Sequence, residues 1–198
     1  ADKQPPYLTM ALGAGSVTMW QMARGYSVFA NGGYKLEPYL VSKIVDDRGT
    51  LLAQAQPSHA GDESLRVIDA RNAFLIDSLL HDVVRYGTGA HAMALGRQDL
   101  AGKTGTTNDF VDAWFNGYQP TVVGIAWMGY DQPRKLGNNE TGGVASLPVW
   151  MSYMGKVLKG VPETFMPMPD GVVTVRINDA GQQVAEGGKP EFFLKETL

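Results

Sequence analysis

Five consecutive residues, Lys103-Thr104-Gly105-Thr106-Thr107, bring one ammonium, three hydroxyls and one bare stretch of backbone within reach of each other. In an extended chain side chains alternate, so Lys103 and Gly105 point to one face while Thr104 and Thr106 point to the other. The glycine leaves main-chain amides open for an extended ligand to lie along them as an added strand. Such a strand can hold a peptide carboxylate: the lysine supplies a point charge, the hydroxyls supply donors, and the backbone N–H groups can stabilise an oxyanion. Two other readings of the same residues stay open, a glycine-threonine turn carrying a solvated lysine and a phosphate-binding loop suggested by Gly102-Lys103-Thr104. The loop reading is weak on spacing, because Gly96 stands one residue too far upstream of Gly102. It also needs a helix to open on the phosphate, and Gly105-Thr106-Thr107-Asn108-Asp109 is a poor helix start.

The surrounding residues predict how this stretch is held. Apolar, β-rich segments at 111–118 and 122–130 follow it, joined by the short connections Asn108-Asp109 and Gln119-Pro120. Connections this short predict an antiparallel meander with the Lys103 strand at its edge, where unpaired backbone groups could be used by a substrate strand. Upstream, an irregular lead-in from Pro5 to Gly13 precedes a Thr18-x-x-Gln21 capping box. Met19, Met22, Ala23, Tyr26, Phe29 and Ala30 then recur at helical spacing, as a core-facing stripe, until Gly32-Gly33. A hairpin is expected across 39–53, turning at Asp46 to Thr50, and an exposed loop over 54–66. Asp69 caps a second helix with Ala73, Ile76, Leu80, Val83 and Val84 on one face and Gly87 as its stop, and Thr88 belongs to a C-terminal turn. The loop 133–143 carries Glu140, which reads as a solvated charge. A third helix is expected from about Ser146, with Pro148 in its first turn and Val149, Trp150, Tyr153, Met154, Val157 and Leu158 as its apolar set. Residues 1–160 thus form the main body, and 161–198 a proline-marked linker and a small β tail that does no chemistry.

The chain has 198 residues, 44% of them hydrophobic, enough for one domain with a core. Seventeen basic against 20 acidic side chains give a net charge of −3, so no nucleic-acid partner is expected. No apolar run approaches bilayer length and Ala1-Asp2-Lys3-Gln4-Pro5-Pro6 is not a signal sequence, so any anchor or export signal is expected outside this chain. There is no cysteine, and the three histidines, at 59, 81 and 91, lack ligand spacing. Neither metal nor cofactor is expected.

Several blocks occur in an order that resembles a known family. They are residues 22–34 (Met-Ala-Arg-Gly-Tyr-Ser-Val-Phe-Ala-Asn-Gly-Gly-Tyr), Arg85-Tyr86-Gly87-Thr88-Gly89, residues 99–109 around Lys-Thr-Gly, Asp112-Ala113-Trp114-Phe115 and Gly137-Asn138-Asn139-Glu140-Thr141-Gly142-Gly143. Together they resemble the C-terminal part of the transpeptidase domain of class A, bifunctional penicillin-binding proteins, over roughly residues 5–160. The resemblance implies an α+β fold, an antiparallel sheet flanked by helices. It implies D,D-transpeptidation of peptidoglycan stem peptides, in a protein that also handles lipid-linked glycan strands, through an acyl-serine that β-lactam antibiotics also form. Lys103 and Thr106 would be catalytic, Lys103 adding positive charge beside the nucleophile and the Thr106 N–H forming half of an oxyanion hole. Thr104, Gly105 and Thr106 would bind substrate, the two hydroxyls on the carboxylate and Gly105 by allowing close approach, and the turn with Thr88 and its paired glycines, beside the catalytic strands in the family, could have a supporting role. The site would work on the periplasmic side of the bacterial inner membrane.

One departure matters. The family's nucleophile lies in Ser-x-x-Lys and its second motif is Ser-x-Asn, and none of Ser16, Ser27, Ser42, Ser58, Ser64, Ser78, Ser146 or Ser152 fits either. In the family both precede the position where this chain starts. The expectation is a polypeptide that alone neither turns over stem peptide nor forms a penicillin adduct, and that self-associates or needs the missing N-terminal part of the same domain. Two alternatives stay open: a D,D-carboxypeptidase or β-lactamase-like hydrolase, and a non-catalytic binding module with the same fold.

Overall fold

A computed structural model describes residues 6–198 of the chain; Pro5, the first residue of the expected lead-in, lies outside them. The lead-in itself contains one 3-10 turn, Leu8–Leu12. Thr18 then opens helix α1 (Met19–Ala30): its Oγ1 accepts from the Gln21 N–H at 3.2 Å, while Gln21 Oε1 accepts from the Thr18 N–H at 2.8 Å. The helix stops where Gly32 and Gly33 take φ of +85° and +109°, and a Cβ on Gly33 would overlap the Ile68 carbonyl oxygen. The hairpin is present but short, β1 (Lys43–Val45) against β2 (Leu51–Gln54), and all of its residues are exposed.

Helix α2 (Ala70–Arg85) begins where the Asp69 carboxylate accepts from the Arg71 N–H at 2.9 Å. Its buried face differs from the apolar stripe read from spacing. Ala73, Phe74, Asp77, His81 and Val84 are buried, whereas Ile76 is exposed. Two polar residues lie inside because each finds a partner there: the Tyr118 hydroxyl donates to Asp77 at 2.8 Å, and His81 Nδ1 donates to the Leu100 carbonyl at 2.8 Å.

Three strands form the sheet that carries the Lys-Thr-Gly stretch: β3 (Ala101–Thr106), β4 (Ala113–Gln119) and β5 (Val122–Met128), antiparallel and in that order. As expected, β3 is an edge strand, and the solvated-turn and phosphate-loop readings of Lys103 to Thr107 do not survive this finding. On one face Trp150 and Met154 of α3 (Leu147–Val157) pack with Phe115, Ala126, Leu147 and Leu158. Only half of the expected α3 set is inside: Val149, Tyr153 and Val157 are exposed. The other face receives Tyr26, Phe29 and Ala30 of α1 against Ala101 and Tyr118. These layers agree with an α+β fold in which helices flank an antiparallel sheet.

The tail forms its own hairpin, β6 (Val172–Ile177) with β7 (Lys189–Leu194), and leans on α2. Phe192 meets Phe74 edge-on with ring centres 5.0 Å apart, and Glu196 pairs with Arg71 at 2.7 Å. The linker is tied to the residues just ahead of β3. Arg97 donates to the Val161 carbonyl at 2.7 Å, and the Thr164 N–H donates to Asp99 at 3.0 Å.

Candidate active site

Register fixes which side chains share a face. Lys103 lies opposite Asn116 and Gly105 opposite Trp114, so these four belong to the α1 face; Thr104 opposite Phe115 and Thr106 opposite Ala113 belong to the α3 face. The alternation read from the sequence is therefore the one found. At its start the strand's outer edge is closed by α2, whose His81 takes the Leu100 carbonyl. Lys103 and Thr106 are exposed and Thr104 and Gly105 half-buried, so the edge opens where the chemistry-bearing residues lie.

The Lys103 ammonium folds along this edge, donating to the Thr104 carbonyl at 2.9 Å and standing 3.5 Å from the Thr104 hydroxyl. On the other face, Thr104 Oγ1 lies 2.7 Å from Thr88 Oγ1, and Thr106 Oγ1 accepts from the Gly142 N–H at 3.0 Å. Gly142 opens a single π-helical turn, Gly142–Ser146, before α3. It sits so close to β3 and β4 that a Cβ there would overlap the Gly105 and Trp114 carbonyl oxygens. Both threonines thus have neighbours, yet neither hydroxyl is used up. A hydroxyl offers one donor and two lone pairs, and Thr106 has spent one lone pair on Gly142.

The α1 face of the strand looks into a cavity of about 750 Å³ whose walls include Met19, Met22, Gly105, Trp114, Asn116 and Trp127. Met19 and Met22, read from spacing as core, line this cavity, and Met19 is exposed, because α1 packs on the sheet only through its C-terminal half. Trp114 and Trp127 tilt together at 6.0 Å, and Asp112 holds Trp127 by accepting from its Nε1 at 2.9 Å. Asn116, a residue of the cavity wall, is buried, and its inaccessible Oδ1 has no hydrogen-bond partner. Burial pushes the Tyr26 phenol up, opposed by its hydrogen bond with the Asn116 side chain, so Tyr26 stays protonated beside it.

The far end of β3 is closed by Thr107 and Asp112. The Thr107 N–H donates to the Asp112 carbonyl at 3.0 Å, and the Asp112 N–H donates to Thr107 Oγ1 at 2.7 Å. Between them Asp109 and Phe110 take left-handed φ of +60° and +55°, a conformation that costs non-glycine residues energy and that clusters at functional sites. The Leu136 N–H donates to the Phe110 carbonyl at 2.9 Å, so the glycine-rich loop is fastened to this connection. Glu140 lies half-buried against Gly137 in that loop. Thr88 and Gly142 are the contributors that residue chemistry alone did not single out. Their only sequence signal is membership of the Arg85 to Gly89 and Gly137 to Gly143 blocks. Among the described residues no His, Asp or Glu cluster is placed to hold a metal ion.

Comparison with known proteins gives this geometry a context. Residues 4–146 match the family described as the penicillin binding protein transpeptidase domain. Penicillin-binding protein 1A of Neisseria meningitidis serogroup B is 49% identical over 198 residues, covering 100% of this chain and 23% of that protein. The Neisseria flavescens protein of the same name is 51% identical over 170 residues, covering 86% of this chain and 21% of its own length. The chain therefore spans about a quarter of these relatives (23% and 21%). Among solved structures, penicillin-binding protein 1A from Haemophilus influenzae superposes with a TM-score of 0.89 at 33% identity, covering 98% of this chain and 34% of that one.

Proposed function

Because the chain belongs to the penicillin-binding protein transpeptidase domain family, we propose that it forms the Lys-Thr-Gly side of a serine-type D,D-transpeptidase that cross-links peptidoglycan stem peptides. The observation that carries this reading is the placement of Lys103, Thr104, Gly105 and Thr106 on the open part of an edge strand bordering a large cavity. A stem peptide ending in D-Ala lies along β3 as an extra strand. The Lys103 ammonium and the Thr104 and Thr106 hydroxyls draw in its terminal carboxylate, Gly105 keeps the approach free of a side chain, and the Thr106 N–H donates to the oxyanion. A serine hydroxyl attacks the penultimate D-Ala carbonyl, the C–N bond breaks, and terminal D-Ala leaves with a proton on its amine. The amine of a second stem peptide then displaces the serine. β-Lactams acylate the same serine and remain on it.

The serine comes from polypeptide other than these 198 residues, which contain neither Ser-x-x-Lys nor Ser-x-Asn. The open cavity beside Gly105 supports a second segment packing there. In this reading residues 1–160 complete the transpeptidase domain, 161–198 are an appendage, and the site works at the outer face of the bacterial inner membrane. Lipid-linked glycan strands are substrates of the same parent protein. No helix among the described residues is long and apolar enough to cross a membrane.

Fluorescent penicillin tests the proposal. The full-length protein carrying this chain is expected to keep the label through denaturing electrophoresis, Lys103→Ala to lose most of it, and the isolated 198-residue chain to take up none. Full labelling of Lys103→Ala, or a covalent label on the isolated chain, would overturn it.

A further inference from the structure

We infer that Thr88 is a positioning residue for carboxylate recognition, acting through Thr104; the inference rests on the transpeptidase reading and assigns a donor within that site. Thr88 stands in the turn after α2, 16 positions before Thr104 in the chain, yet their hydroxyl oxygens are 2.7 Å apart. The approach is built by glycines. A Cβ on Gly87 would lie 2.9 Å from Val83 Cα, and one on Gly89 would lie 3.3 Å from Phe115 Cε2, both tighter than side chains normally tolerate. Gly143 closes the third side, where a Cβ would lie 3.3 Å from the Thr88 carbonyl oxygen.

Either hydroxyl of this pair can be the donor, and a bound carboxylate would select one direction. The Lys103 ammonium can only donate, so toward it Thr104 Oγ1 is an acceptor. When a carboxylate reaches the edge, the Thr104 O–H turns to it and the Thr88 O–H donates into the other Thr104 lone pair. The chain Thr88 to Thr104 to carboxylate is cooperative, since an oxygen that accepts a hydrogen bond becomes a better donor. Thr106 is prepared in the same sense, because the Gly142 N–H occupies a lone pair and leaves its O–H to donate. The outcome is two adjacent O–H donors beside one ammonium.

The test compares acylation of the full-length protein by benzylpenicillin and by its methyl ester, which lacks the carboxylate, in wild type, Thr88→Val and Thr88→Ser. Thr88→Val keeps the shape and removes the hydroxyl. It is expected to slow reaction with the free acid about tenfold, the scale of one lost hydrogen bond, and to leave the ester rate within about twofold. Thr88→Ser is expected to restore the free-acid rate. Equal slowing of both compounds, no change with either, or failure of Thr88→Ser to rescue would overturn the inference. A wild-type protein acylated by neither compound would overturn the transpeptidase reading, and the inference with it.

Discussion

Arg97 holds Asp99 through two parallel hydrogen bonds, Nε to Oδ1 at 2.8 Å and Nη2 to Oδ2 at 2.7 Å, with the carboxylate wholly buried two residues before β3 begins. The same pair reaches the linker through Val161 and Thr164, so one bidentate contact fastens the reactive strand and the C-terminal tail to each other. Removing the guanidinium leaves a buried carboxylate short of its charge partner. Arg97→Ala is therefore expected to cost about 3 kcal/mol or more in urea unfolding at pH 7. A loss within about 0.5 kcal/mol, the range of ordinary surface substitutions, would mean that the pair is decorative.

The same pair sets an acid limit. Burial pushes the Asp99 carboxyl up, but the Arg97 guanidinium and the Thr164 N–H outweigh it and hold the group below its ordinary value. A carboxyl depressed in the folded state stabilises above its unfolded pKa, about 3.9, and loses that contribution as pH falls through the folded value. Thermal melting of the wild-type chain should show this loss only below about pH 4. In Arg97→Ala the guanidinium no longer opposes burial, the folded carboxyl moves up toward or past its unfolded value, and the acid loss should shrink or reverse. Superimposable pH profiles for the two proteins would refute this.

Trp150 packs edge-on to Phe115 at 4.8 Å and donates to the Gly124 carbonyl at 3.1 Å. A Cβ on Gly124 would stand 2.7 Å from the indole nitrogen. Gly124→Ala is expected to cost about 1–3 kcal/mol by overpacking, and less in a Trp150→Phe background, where the smaller ring makes room. Additive losses in the double mutant would show that the two positions do not compete for space.

Gly142→Ala must push the π-helical turn off β3, because its methyl group has only backbone atoms to displace. With the Gly142 N–H withdrawn from Thr106, penicillin acylation of the full-length protein should fall about tenfold or more. An unchanged acylation rate would detach this loop from the site.

The outer edge of β5 has no strand partner among the described residues, and it runs through Val122, Val123, Ile125 and Trp127 without a charge. Together with the open cavity, it leads us to expect the isolated chain to self-associate at micromolar concentration. Sedimentation showing a monodisperse monomer would count against this.

Much of the local structure was legible in the residues themselves. The Thr18-Gln21 box, the Asp69 cap and the Gly32-Gly33 stop are short-range hydrogen-bond and steric facts, and each is found where its residues put it. The meander and the edge position of β3 follow from connections too short for anything but antiparallel neighbours. Burial was less legible. Ile76, Val149, Tyr153 and Met19 lie on periodic apolar stripes yet are exposed, while Asp77 and His81 are inside, because periodicity gives a face but not what packs on it.

By itself the sequence determined how Lys103, Thr104, Gly105 and Thr106 alternate once the run is extended, and short connections made an edge strand the expectation, since side-chain period and chain connectivity are local properties. Only the tertiary structure decided that Thr88 and Gly142 meet those threonines, that Asp99 ties the tail to the strand, and that Met19 and Met22 line a cavity. Contacts between residues tens of positions apart depend on how whole elements pack, and no spacing within either element encodes them.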